Sequence, residues 1–101
     1  MAKPVLLTPV AKDNLENVLT YLHENRSLAV LENFLALYEA KIATIADHPD
    51  RYPVIHLKTG LRKAVLTKHN IILYREKPDR IEIISVFDTR QDPGKLKKLI
   101  D

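Results

Sequence analysis

The chain has 101 residues, 46% apolar and 29% charged, which is room for one domain around one modest core and is not the make-up of a disordered tail. It contains no cysteine, so disulfides and thiolate chemistry, catalytic or metal-binding, are excluded. The net charge of +3 is uneven: residues 1–60 carry six Lys/Arg against seven Asp/Glu, and residues 61–101 carry ten against six. That basic second half suits an acidic partner or nucleic acid, and equally a solvated lysine-rich surface.

Val5-Leu6-Leu7 is a short apolar run stopped by Thr8-Pro9, and reads as a buried or edge strand. Thr8 is placed to N-cap a helix with Pro9 at its first position, and Asp13 with Glu16 offers an alternative cap a turn later. Leu15, Val18, Leu19 and Leu22 follow at i, i+3, i+4 and i+7, one face of an amphipathic helix. Asn25 to Ser27 breaks it, and Ser27 can cap a second helix. There Leu31, Phe34, Tyr38, Ile42 and Ile45 form the stripe, and His48-Pro49 ends it. A connection this short makes the pair an antiparallel hairpin.

After Pro53 the period changes. Val54-Ile55, Leu61–Leu66, Ile71–Tyr74 and Ile81–Val86 are short β-branched runs. They are separated by the turn sequences Lys58-Thr59-Gly60, Lys68-His69-Asn70 and Lys77-Pro78-Asp79-Arg80. Links of this length join only antiparallel neighbours. Asp92-Pro93 then resembles a cap and first position for a short helix carrying Leu96, Leu99 and Ile100. The expected architecture is one α+β domain over residues 1–101: an N-terminal strand, then a two-helix hairpin packed on a twisted, mainly antiparallel sheet (β-α-α-β-β-β-β), and a short C-terminal helix. No apolar run is long enough for a membrane span and no secretory leader is evident, so the cytoplasm is the expected compartment.

Little in the sequence is equipped for bond-making. The histidines at 23, 48, 56 and 69 have no helical metal-site spacing, so no metal and no cofactor is expected. Ser27 and Ser85 stand in no nucleophile elbow, and glycines at 60 and 94 alone cannot make a phosphate loop. What remains is a set of polar groups on or near the sheet: Arg62, Lys63, Arg75, Arg90 and Gln91, with Tyr74 and Asp88. Strand parity puts Arg62 with Ala64 on one face and Lys63 with Val65 on the other, and sends Tyr74 and Arg75 opposite ways. Arginines there also serve simply as solvated, edge-protecting residues.

The order of segments carries a resemblance. The helix Ala11–Tyr21, the Phe34…Ile42…Ile45 helix with its Asp-His-Pro ending, Gly60-Leu61-Arg62, Ile72-Leu73-Tyr74-Arg75, and Ile83–Pro93 with its Val86-Phe87-Asp88-Thr89-Arg90 block together resemble the RelE/ParE superfamily of type II toxins and plasmid-stabilisation proteins. The resemblance implies a bacterial toxin neutralised by a cognate antitoxin encoded beside it. That antitoxin's C-terminal segment docks a helix on the hairpin or adds a strand to a sheet edge. Leu28, Leu35 and Leu37, off the main stripe of the second helix, are the candidate dock. A homodimer or a heterotetramer with the antitoxin are the assemblies it suggests.

Two activities divide the superfamily. RelE-like members cut mRNA on the ribosome with a cluster of cations and a proton-transfer group. ParE-like members inhibit DNA gyrase by protein contact. This chain keeps Arg62 and Arg90 but has Ala64 and Ile71 where the nucleases commonly hold basic residues, and no Tyr or His after Arg90. Each lost transition-state cation costs on the order of 100-fold in rate. The resemblance therefore implies a ParE-like gyrase inhibitor, with Arg62, Arg75, Arg90 and Gln91 as target-binding residues. A nuclease would have to use Arg62 and Arg90 with His69, or else His56, as the base, and a non-toxic binding module is the third possibility.

Overall fold

In the computed structural model, which describes residues 3–91 and 93–100, eight elements follow the expected order. They are β1 (Val5–Leu7), α1 (Pro9–Asn25), α2 (Leu28–Asp47), β2 (Val54–His56), β3 (Leu61–Thr67), β4 (Asn70–Glu76), β5 (Ile81–Asp88) and α3 (Pro93–Ile100). Both helix starts are set by their caps. Thr8 Oγ1 accepts from Ala11 N at 3.1 Å and donates to Ile84 O at 3.0 Å, so one hydroxyl ties the entry of α1 to the sheet. Ser27 Oγ accepts from Val30 N at 3.3 Å, and α2 ends at its C-cap His48, before Pro49. The cap expected at Asp92 and the side chain of Ile100 lie outside the described residues.

The five strands form one sheet in the order β1-β5-β4-β3-β2. The four later strands are antiparallel neighbours, as their short turns require. β1 is the exception: it lies parallel to β5 at the sheet edge, with Val5 opposite Ile81 and Leu7 opposite Ile83. The turn into β3 closes with Gly60 N donating to His56 O, and Gly60 takes a φ of 70°, a left-handed conformation that favours glycine.

The helices cover one face. Ala11, Phe34 and Ile45 meet Ala64, Leu66, Ile72, Tyr74, Ile81, Ile83 and Val86 in the main core. On the other face Leu61, Ile71, Leu73 and Phe87 make a smaller core, onto which Leu96 and Leu99 of α3 pack. A shift of register between Leu73 and Tyr74 leaves Ile84 without an opposite residue on β4, and Ile84 packs into this second cluster. The alternation along β3 and β4 is thus used on both faces, each with its own helical cover. No helix among the described residues is long and apolar enough to cross a membrane.

Candidate functional site

The arginines singled out from the sequence do not converge. Arg62 shares the helix-facing side of β3 with Ala64, directly opposite Tyr74. Its guanidinium Nη1 donates to the main-chain oxygens of Tyr52, at 2.6 Å, and Asp50, at 3.3 Å. Tyr74, fully buried, donates its hydroxyl to Pro49 O at 2.8 Å. Tyr52 stacks edge-on against the Tyr74 ring at 6.4 Å, and Lys41 Nζ sits 5.2 Å from the Tyr52 ring centre. Arg62 and Tyr74 together therefore fasten the segment 49–52 that leads from α2 to β2, a task the sequence does not announce. Arg75 points to the opposite face, where its Nε pairs with Glu82 at 3.1 Å, and Arg80 shares the same carboxylate. These donors, Arg75 first, hold the Glu82 carboxyl below the usual range.

Burial pushes the Tyr74 hydroxyl up to about 12, against the weaker opposing pull of Arg62. The sign of the linkage follows. The unfolded chain ionises near the ordinary tyrosine value and the folded chain later, so the folded state holds the extra proton between the two. This contribution to stability is complete below about pH 10 and is lost as the pH rises through the folded value of about 12. A spectrophotometric titration of the phenolate band should show one tyrosine ionising last, and Tyr74→Phe should remove that step alone.

Arg90 and His69 lie at the other end of the sheet, where Asn70 opposes Asp88. Arg90 closes a two-pronged pair with Asp88, Nε to Oδ1 at 3.0 Å and Nη2 to Oδ2 at 2.8 Å, and its main-chain N–H reaches Oδ1 as well. That guanidinium, through its side-chain hydrogen bonds above all, keeps Asp88 ionised below the usual carboxylate range. Thr89 donates its N–H and hydroxyl to His69 O, locking the turn between β3 and β4 to the end of β5. From Arg62 to this end runs most of β3, about 16 Å at the rise of a strand. The grouping of Arg62, Arg90 and His69 that a nuclease would need is not assembled.

What these residues do share is a groove. Arg90, His69, Asp88 and Gln91 sit at the edge of a cavity of about 640 Å³ that runs between α1, α2 and the ends of β3–β5. The volume is that of a ligand cleft, roughly 300–1,000 Å³. Val18, Leu22, Val30, Phe34, Leu37 and Val86 supply its apolar surface. Of the proposed dock residues, only Leu37, 42% exposed, lines it; Leu28, 67% exposed, lies outside it and Leu35 is half-buried. Tyr21 and Val30, both exposed and both lining, were not singled out from the sequence. Their signal is visible only in retrospect: two apolar residues on the polar side of their own helices.

Comparison with known proteins agrees with this architecture. Residues 5–93 match the family model of the ParE toxin of the type II toxin–antitoxin system, parDE. Among solved structures, the chromosomal ParDE toxin–antitoxin system from P. aeruginosa superposes with a TM-score of 0.65 at 11% identity, covering 88% of this chain and 98% of the other. At that identity the likeness speaks for the fold alone. No curated protein matches. The family match spans nearly the whole chain, and with it this protein belongs to the ParE toxin family of type II toxin–antitoxin systems, whose members pair with a cognate antitoxin.

Proposed function

We propose that this chain is a bacterial toxin that inhibits DNA gyrase by protein–protein contact in the cytoplasm, stabilises the replicon that carries it, and is silenced by an antitoxin seated on the helical hairpin. The observation that carries the non-catalytic half is the employment of Arg62. Its guanidinium is spent on the carbonyls of Tyr52 and Asp50, at the far end of β3 from Arg90 and His69. A phosphodiester held at either end would meet only part of the charge that its cleavage requires. Arg75, Arg90 and Gln91, at the surface, are the residues offered to the target, with Arg62 acting on it through the loop it fastens.

The antitoxin half draws on the open groove and on total surface. The chain exposes 6586 Å², against about 5,800 Å² expected for a monomer of its mass. Leu28, Leu35 and Leu37 remain the hairpin's contribution to the dock, with Tyr21 and Val30 added beside Leu37. The assembly proposed is a homodimer or a heterotetramer with the antitoxin.

Purified protein at micromolar concentration is expected to block gyrase supercoiling and accumulate cleaved DNA, and equimolar antitoxin from the adjoining reading frame is expected to reverse both. Unimpaired supercoiling would sink the reading. Ribosome-bound message cut at the A site, with cutting abolished by Arg62→Ala, would replace it with the nuclease alternative.

A further inference from the structure

The charge of this protein is divided between the two faces of its sheet. The hairpin that covers one face is acidic: between Pro9 and Asp47 stand six Asp/Glu against three Lys/Arg. The helix that covers the other face is basic. α3 carries Lys95, Lys97 and Lys98, all exposed, and no acid between Pro93 and Ile100. Lys63 belongs to the same side, because its parity with Leu61 and its pairing with Leu73 put it among the residues on which α3 packs. The carboxylate that this face of the sheet carries, Glu82, is already shared by Arg75 and Arg80. None of the four lysines makes an ion pair or a side-chain hydrogen bond among the described residues.

We infer that this basic face seats on the phosphate backbone of double-stranded DNA. Four ammonium groups without internal partners are compact point charges, and each can replace a counterion at a phosphate. An acidic protein surface is the poorer fit, because carboxylates are best held by the two-pronged guanidinium, as Asp88 is by Arg90, and the arginines on this face are occupied. A single strand needs exposed rings on which its bases stack, and Phe87, the ring on this side of the sheet, is 5% exposed. A lipid surface needs a free apolar helix face, whereas Leu96 and Leu99 of α3 are spent on the cluster of Leu61, Ile71, Leu73 and Phe87.

The acidic hairpin completes the geometry. It is repelled by the same phosphates that attract α3, so the two covers turn the molecule with α3 toward the duplex and the hairpin away from it. The choice of DNA over a duplex of RNA rests on the gyrase reading above, since that enzyme works on DNA. Binding to the duplex itself needs no gyrase and is measured without it.

The test is fluorescence anisotropy of the full chain on a labelled, mixed-sequence DNA duplex of about 30 base pairs. The expected dissociation constant is on the order of 10⁻⁵ M at about 20 mM salt, with a log–log salt slope of about −3 to −4. Lys95→Gln/Lys97→Gln/Lys98→Gln changes exposed side chains, so the circular dichroism spectrum should stay as it is. Binding should weaken about thirtyfold or more and the slope should flatten by about three. Lys63→Gln, on a different element, should flatten it by about one. Lys12→Gln/Arg26→Gln, which removes cations from the hairpin side, should leave affinity within about twofold. Equal weakening in the hairpin variant would overturn the inference by tracing the effect to net charge alone. Tighter binding to the matching single strand, to the RNA duplex, to polyglutamate or to vesicles rich in anionic lipid would overturn it in favour of that ligand. No binding to the duplex at low salt would end it and leave the gyrase reading standing, because supercoiling inhibition by protein contact is read separately.

Discussion

Tyr74→Ala is expected to lower the unfolding free energy by about 3–5 kcal/mol, a large part of what a domain of this size possesses. The side chain is fully buried between the sheet and the helices, stacks on Tyr52 and holds Pro49 O. Its truncation leaves a cavity in the main core and frees the segment 49–52 from one of its two fastenings. Tyr74→Phe keeps the ring and drops only the hydroxyl, and should cost about 0.5–1.5 kcal/mol. Urea denaturation of both variants, with slopes compared to the parent, separates the terms. Equal losses in the two would mean that the hydroxyl, not the packing, carries the site.

A second large effect is expected at Asn14. Its Oδ1 takes hydrogen bonds from Ser85 Oγ at 2.7 Å and Val86 N at 3.2 Å, pinning the middle of α1 to the irregular stretch of β5. Ser85 is 1% exposed, so Asn14→Ala strands its hydroxyl and weakens the satisfaction of a main-chain donor beside it. A loss of about 2–4 kcal/mol follows from two orphaned donors. Asn14→Asp retains the accepting oxygen and should lose far less. Adding Ser85→Ala to Asn14→Ala removes one orphan, so the double variant should be more stable than the sum of the single losses predicts. Strict additivity in thermal or urea melts would refute the coupling.

Much of this fold is legible in the residues themselves. Thr8 and Ser27 are recognisable caps because each precedes an apolar 3.6-residue period. The strands from Val54 onward follow from β-branched runs cut by turn residues, and Gly60 falls where the chain must turn left-handed. The parallel placement of β1 was not legible. Three apolar residues have no period to reveal their neighbour, and that neighbour lies more than seventy positions away. Parity grouped Arg62 with Ala64, but nothing local tells which face is inward. The face under the α1–α2 hairpin turned out to be theirs, and Arg62 reaches the protein's own main chain. The groove was hidden for a similar reason. Asn17 and Asn33 read as ordinary solvent-side residues of two helices, and only the packing of α1 and α2 over the ends of β3–β5 brings them to Asn70 and Gln91. Leu28, chosen for being off the helix stripe, is indeed exposed, yet it lies outside the cleft that Leu37 enters.

The placement of β1 has a bearing on how the molecule comes into being. Pro4 O receives Ile81 N, and Thr8 N donates to Ile83 O, so the first strand and the entrance to α1 are both stitched to the last strand. During synthesis these opening residues wait, unmatched, until β5 has cleared the ribosome exit. Pairings of such sequence separation come late and slowly in folding. Until residues 81–83 are available, the edge of β1 and the entrance to α1 lack their main-chain partners, so closure of the sheet edge and seating of α1 are one late event.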